Sequence, residues 1–553
     1  MRGAAQAVHP AAVHPAHATA PAQLAHSGPL AESARLADSA VQSVDWLAIS
    51  PPTVAAVAGL AVLVADLFLP ERGKRLLGPV SAVSLLLAAL PLLFLRTRDL
   101  STFCLPDGSQ ACSYSADTLA LVLQFLVLGA AFVTALLSMP TVRDLRLPAG
   151  EYWFLLLSAT AGAALIPASR DLVTLVIALE TASLPAFALV GLRRGSRGSA
   201  EAALKFFLSS VTATAVTLLG ASFLYAVTGT LYFQGISEGL TRADPQLETL
   251  AGAGIALTLV GFAFKASVVP FHFWVPDTYV GAPVPVAAFL SVVGKTAGIS
   301  GLILLVVEAF SSRAELWGPA LAVLAAVTMT AGNAAALRQR IDRAHGAVRL
   351  LAWSSVGQAG YLLVPLAAAA PDVGGTEPSG PALSTVGATV AYLLMYGAVN
   401  LGAFAVVAHI GRAGGANRLG DYRGLYAAHP LAALALAFFL LCLAGLPPGV
   451  IGLFAKVAIF SAAVGNGLGW LAVIMAVNVV IALFYYLRWT ALVFRPAVPE
   501  SAAGAGRPQG VGEPGGARMA TPLSAGIALT AAVGIALSLD PDLVLIFTAG
   551  GLR

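Results

Sequence analysis

Five lysines stand against 26 arginines in this 553-residue chain, and four of the five, Lys205, Lys265, Lys295 and Lys456, fall inside long apolar runs. Codon preference accounts for arginine across the chain. It does not account for the exceptions gathering where charge is most expensive. An ammonium releases its proton when burial or the loss of a counter-charge disfavours it, whereas a guanidinium stays charged. Ammonium groups set deep in apolar segments are therefore what a proton-handling axis requires. Carboxylates in the runs are scarcer. Glu180 lies in the middle of LVTLVIALETASLP without a partner in its own segment. It must pair across segments or stay protonated, and an ionisable group at that depth is a functional candidate by default. Glu201 precedes Lys205 by four residues, the offset of an ion pair on one helix face. That leaves a plainer reading of Lys205, as a neutralised cation at the entrance of a span. Asp66 and Glu308 lie near the ends of runs and read as interface residues.

Two of the lysines lie beside helix-breaking signals. Lys265 is followed by Pro270 in FKASVVPFHFW, and Lys456 is preceded by Pro447, Pro448 and Gly449 in GLPPGVIGLFAK. Proline frees backbone groups that only protein or water can satisfy inside a membrane. Interrupted spans in corresponding places of two halves point to a site in a repeat-built transporter, although packing kinks are the plainer alternative.

The elements that must hold these groups follow from composition. Hydrophobic residues make up 58% of the chain and charged residues 10%, against roughly 45–50% and about 25% in a soluble domain. A disordered chain and a disulfide scaffold are excluded. So is a transmembrane β-barrel, whose strands are short and alternating, because the apolar runs here are long and continuous. The expected fold is an all-α polytopic membrane protein of about 14 transmembrane helices. The spans are predicted near 51–69, 76–95, 117–139, 150–167, 171–192, 202–228, 249–270, 284–309, 316–337, 348–369, 383–410, 430–464, 468–494 and 521–548. Residues 1–43, rich in Ala, His and Pro, read as a disordered extension, with metal binding by their histidines as the alternative. Residues 496–520 read as a flexible Gly/Pro/Ala loop. Connections after odd-numbered spans carry more than twice the Lys and Arg of the even-numbered connections and termini together, which predicts both termini on the outer face.

Cys104, Cys112 and Cys442 have no cluster spacing, although Cys104 and Cys112 permit a disulfide if their loop faces an oxidising side. No glycine-rich nucleotide motif and no Walker lysine is present. The net charge of +4 carries no indication of nucleic acid.

These segments together resemble a known family. The run KASVVPFHFWVPDTYVGAPVPVAAFLSVVGKTAG, Lys265 to Gly298, is similar to the seventh-to-eighth span region of the antiporter-like membrane subunits of respiratory complex I, the proton-pumping NADH–quinone oxidoreductase. SRDLVTLVIALETASLPAFALVGL resembles the fifth span of that family and AGLPPGVIGLFAK its broken twelfth. The DTYVGAP segment from Asp277 to Pro283, Lys456, and the lack of a long lateral helix most resemble the subunit N branch.

The resemblance implies two inverted five-helix repeats and broken seventh and twelfth helices. It divides the chain into three leading helices (44–149), a first repeat of spans four to eight (150–310), a second of spans nine to thirteen (311–495), and a last helix (521–553). It also implies a midplane row in which Glu180, Lys205, Lys265, Lys295 and Lys456 carry protons. His272 falls on the histidine after the seventh-span break, with a satisfied structural histidine as the alternative reading. No cofactor or metal is expected on this chain, with NAD, FMN, iron–sulfur clusters and quinone in partner subunits. The implied partners are an antiporter-like sister subunit, small membrane subunits and the lipid bilayer, in the inner membrane of a bacterial cell. Subunits of cation/proton antiporters and of membrane-bound hydrogenases use the same fold and supply the alternative function.

One region departs from the pattern. Across the ninth connection and tenth span the chain reads RQRIDRAHGAVRLLAWSSVGQAGY, with extra residues between Gln339 and Arg349. Val348 stands in the usual lysine place and Gln358 in the usual histidine place. Glutamine hydrogen-bonds but does not take up a proton near neutral pH. Water or Lys295 would then have to bridge the two halves.

Overall fold

A computed structural model describes residues 44–96, 98–105, 111–373, 380–412, 416–496 and 519–549. The predicted extension, 1–43, and nearly all of the predicted loop, 496–520, lie outside the described residues. Thirteen helices among the described residues are long and apolar enough to cross a membrane. Two shorter apolar helices, Pro430–Ala444 and Val450–Gly465, share the predicted twelfth span between them.

The helices that matter for the site are α1 (Ser50–Phe68), α2 (Leu77–Ala89), α3 (Thr118–Asp144), α4 (Ala149–Leu165), α5 (Leu172–Gly191) and α6 (Arg197–Thr228). After them come α7 (Glu248–Lys265), α8 (Trp274–Gly281), α9 (Val284–Phe289), α10 (Lys295–Leu304), α11 (Ala314–Leu337) and α12 (Gly346–Val373). The chain closes with α13 (Gly380–Arg412), α14 (Pro430–Ala444), α15 (Val450–Gly465), α16 (Gly469–Phe494) and α17 (Thr521–Leu539). The outer helices turn Leu, Val and Phe outward, as with Leu60, Phe68 and Leu87 on α1 and α2 and with Val480 and Phe484 on α16. In lipid such faces carry no penalty, because hydrocarbon chains are as apolar as leucine.

Both predicted breaks are present. α7 stops at Lys265, residues 266–273 run as turns, and α8 resumes at Trp274. α14 stops at Ala444, where Gly445 takes a left-handed φ of 82° as the helix terminator, and α15 begins at Val450. A third irregularity was not predicted. The eighth span, α9 and α10, is interrupted by π-helical turns at Leu290–Gly294, immediately before Lys295, and continues into another at Leu305–Ala309. Such turns widen the hydrogen-bond ladder and occur often at functional positions.

Small residues set the closest helix approaches. A Cβ added to Gly332 of α11 would lie 2.2 Å from the Gly357 amide nitrogen of α12, and one added to Gly298 of α10 would lie 2.4 Å from the Ala266 nitrogen. One short hairpin, β1 (Leu100–Cys104) paired antiparallel with β2 (Cys112–Ala116), connects the second and third spans, and a disulfide joins Cys104 to Cys112.

Candidate functional site

Lys265 ends α7, and its side chain is 3% exposed. Its Nζ donates to Ser183 Oγ on α5 at 2.7 Å and lies 5.6 Å from the centre of the Phe206 ring. Glu180 stands three residues before Ser183, about one helical turn away. It accepts a hydrogen bond from Thr214 Oγ1 of α6 at 2.5 Å. Among the described ion pairs none joins Glu180 to Lys265. Lys265 instead meets Ser183, which stands on α5 about one turn from Glu180. Asp171 starts that helix by accepting the Thr174 amide hydrogen, which fixes the register that brings positions 180 and 183 toward α6 and α7.

Lys295 is 1% exposed and follows the first π-helical turn directly. Its Nζ donates to Ala266 O, the first residue of the seventh-span break, at 3.2 Å, and to Ser355 O of α12 at 2.9 Å. Lys456, 4% exposed, donates to Leu443 O at 2.9 Å and Ala444 O at 2.7 Å, the last carbonyls of α14. The broken helices thus give both ammonium groups carbonyls left without helical partners, at ends where the helix dipole is negative.

Between Lys295 and Lys456 lies a cluster of hydroxyls around Gln358. Ser355 Oγ shares a hydrogen bond with Tyr396 OH at 2.8 Å. Ser354 Oγ bonds to Tyr486 OH, and Gln358 donates through Nε2 to the same Tyr486 oxygen at 3.3 Å. Tyr392 OH donates to Gln358 Oε1. The Tyr361 ring lies beside that of Tyr392, with centroids 6.2 Å apart, and the Lys456 Nζ is 5.9 Å from the Tyr361 ring centre. The histidine place is therefore filled by an amide whose oxygen and nitrogen both engage buried phenols.

Lys205 lies elsewhere. Its side chain is 49% exposed, and it pairs with Glu201 at 2.8 Å and with Asp277 of α8 at 3.1 Å. Asp277 also pairs with Arg349 of α12 at 3.3 Å. The plainer reading of the Glu201–Lys205 offset holds for the pairing, and Asp277 extends it. Near this cluster, burial together with Arg193 and Arg349 lowers the pKa of His345, in the connection before α12, below its ordinary 6.5. His272 sits in the turn after the seventh-span break, 5.5 Å from the Trp353 ring, and its buried Nδ1 has no hydrogen-bond partner. Asp66 pairs with Lys74 at 3.4 Å and Glu308 with Arg170 at 3.5 Å, as span-end residues do.

Lys265, Lys295 and Lys456 are thus buried beside the breaks, Glu180 lies half-buried one turn from the Lys265 acceptor, and Lys205 stands apart at the surface. Ser183, Thr214, Ser354, Tyr392 and Tyr486 belong to the site and were not singled out from sequence. Only the four-residue spacing of Tyr392 and Tyr396 offered a signal that one helix face is polar. Among the described residues no group of three or more His, Cys, Asp or Glu could hold a metal.

A profile of the family described as NADH:quinone oxidoreductase/Mrp antiporter, transmembrane, matches residues 169–482. The chain is 64% identical to NADH-quinone oxidoreductase subunit N 2 of Streptomyces griseus over 93% of its own length and 95% of the relative's. Among solved structures it is similar to a chain of respiratory complex I from Thermus thermophilus, with a TM-score of 0.70, 30% identity, and coverage of 90% of this chain and 98% of that one. A chain of the Mrp complex from Dietzia shares the fold at a TM-score of 0.77 and 22% identity, covering 92% and 96%.

Proposed function

This chain belongs to the subunit N family of NADH–quinone oxidoreductase, and from that premise we propose that its buried lysines are the groups that carry protons. It is a proton-translocating membrane-arm subunit that assembles with other membrane subunits of the complex. NAD, FMN, iron–sulfur clusters and quinone are assigned to partner subunits, and electron transfer there drives the movement here.

The observation that carries the assignment of residues is the environment of Lys265, Lys295 and Lys456. Each is almost wholly buried, and each meets only neutral acceptors, a serine or main-chain carbonyls, in the hydrogen bonds of the described residues. An ammonium held by neutral acceptors changes its protonation when a nearby charge approaches or withdraws. At about 4 Å and an effective dielectric near 20 such a charge is worth on the order of 4 kcal/mol. Glu180 is the carboxylate positioned to act on Lys265, through the face of α5 that carries Ser183. Lys295 then hands over to the Ser355–Tyr396 and Gln358–Tyr486 cluster, with water completing the path to Lys456. His272 lies close enough to the break to take part. Lys205 is assigned to the rim of the path and not to its row. Moving each charge against the membrane potential costs about 2.3 kcal/mol per 100 mV, which the partner reaction must supply.

The two breaks, with Lys265 just before one and Lys456 just after the other, support the division into repeats at 150–310 and 311–495. The Cys104–Cys112 disulfide lies in an even-numbered connection and supports an outer placement of that side, with both termini there and the bacterial cell membrane as the site of residence.

The test is respiratory. In membrane vesicles carrying the assembled complex, NADH oxidation drives proton uptake, and Lys265→Ala lowers the protons moved per NADH. Unchanged pumping together with loss of sodium/proton exchange would replace this reading with that of an antiporter subunit.

A further inference from the structure

A surface-open cavity of about 370 Å³ lies at the N-terminal end of α6. Its wall carries the charged side chains Arg193, Glu201, Lys205, Asp277 and Arg349, with the imidazole of His345 among them. Polar cavities of this size hold water, whereas apolar ones stay dry. Below the cavity, successive contacts between α6 and α8 run toward Lys265. α6 and α8 run against each other in opposite directions, and at the cavity they approach closely, since a Cβ on Gly281 would lie 2.3 Å from Ala202 Cβ. One turn further in, Lys205 reaches Asp277. At the next level Phe206 stacks on Trp274, with ring centres 4.3 Å apart and planes 10° from parallel. Phe187 packs edge-on against Phe206 at 4.6 Å, and Phe264 lies 5.4 Å from Trp274. All four aromatic rings are buried, and behind Phe206 stands the Lys265 ammonium.

We propose that this cavity is the aqueous access to Lys265 and that the stacked Phe206–Trp274 pair is the hydrophobic gate between them. The inference rests on the reading of Lys265 as a proton-carrying group. Apolar constrictions stop ion flow by excluding water, and an aromatic stack two rings thick leaves no hydrogen-bonded route. Trp274 is the first residue of α8, directly after the seventh-span break, so a small displacement of α8 unstacks the pair without disturbing α6. The Lys205–Asp277–Arg349 ion pairs tie α8 to α6 and α12 and hold the gate shut.

The experiment uses the assembled complex in proteoliposomes. An imposed pH gradient is followed without turnover, and protons per NADH are measured separately. Phe206→Ser and Trp274→Ala should each speed decay of the gradient several-fold, Phe206→Leu should stay tight, and adding Lys265→Met to Phe206→Ser should abolish the leak. A Phe206→Ser complex as tight as the parent, or a leak that persists with Lys265→Met, overturns the gate. Should Phe206→Ser fail to assemble, Arg193→Cys at the cavity rim carries the decision. A bulky maleimide there should lower protons per NADH several-fold, and an unaltered ratio overturns the access route. Lys265→Met alone separates the two readings. Full pumping in that variant removes the role of Lys265 itself, whereas lost pumping beside a tight Phe206→Ser complex removes only the gate.

Discussion

Ser183, and not Glu180, receives the Lys265 ammonium, and this changes what each substitution should do. Ser183→Ala leaves a buried cation without its side-chain acceptor. The expected cost is about 1.5–3 kcal/mol, the range for hydrogen bonds to charged groups, visible as a lower melting temperature of the purified complex along with weaker pumping. Glu180→Gln keeps an oxygen for Thr214 and removes only the charge. It should depress protons per NADH while assembly and melting temperature stay near the parent values, and a variant that fails to assemble would contradict the electrostatic role. At the middle of the row, Tyr392→Phe deletes the donor to Gln358 and should cost about 1 kcal/mol. The charged members of the site were legible in sequence because lysine and glutamate are costly in apolar runs and stand out. The hydroxyls were not. Serine, threonine and tyrosine are common in spans, and which of them meet is decided by helix rotation and packing that no single segment encodes. Lys205 was legible as a neutralised cation at a span entrance through its i,i+4 pair with Glu201, whereas its second partner, Asp277, lies 72 positions away and was not.

At the scale of elements, the breaks perform the positioning. Proline and glycine in FKASVVPFHFW and GLPPGVIGLFAK announced where α7 and α14 end. The π-helical turn before Lys295 gave no such sign, because the lone Gly294 in LSVVG is ordinary in a membrane span. Gly298 holds α10 against the first break closely enough for Lys295 to reach Ala266 O. Gly298→Ala would place a methyl 2.4 Å from the Ala266 nitrogen, so backbone must move. Overpacking of this kind typically costs about 1–3 kcal/mol. The expected outcome is a lower melting temperature and reduced pumping with Lys295 itself intact. An unaffected complex would show that the approach of α10 to the break does not set the Lys295 contact.

For the whole molecule, the count and order of spans followed from apolar runs alone, and the twelfth resolved into two half-helices where its prolines stand. Orientation remains a prediction of charge asymmetry, tested by a cysteine placed at Arg194 in the exposed connection between α5 and α6, which should react with an impermeant thiol reagent only from the cytoplasmic side. The central claim is that neutral acceptors hold three buried ammonium groups so that each can be charged and discharged in turn. Its most direct measurement is the number of protons taken up per NADH oxidised by vesicles whose assembled complex carries Lys265→Met, Lys295→Met and Lys456→Met together. The expected ratio is lower than that of the parent complex by this subunit's whole share. A ratio equal to the parent's, with the subunit present in the complex, would contradict it.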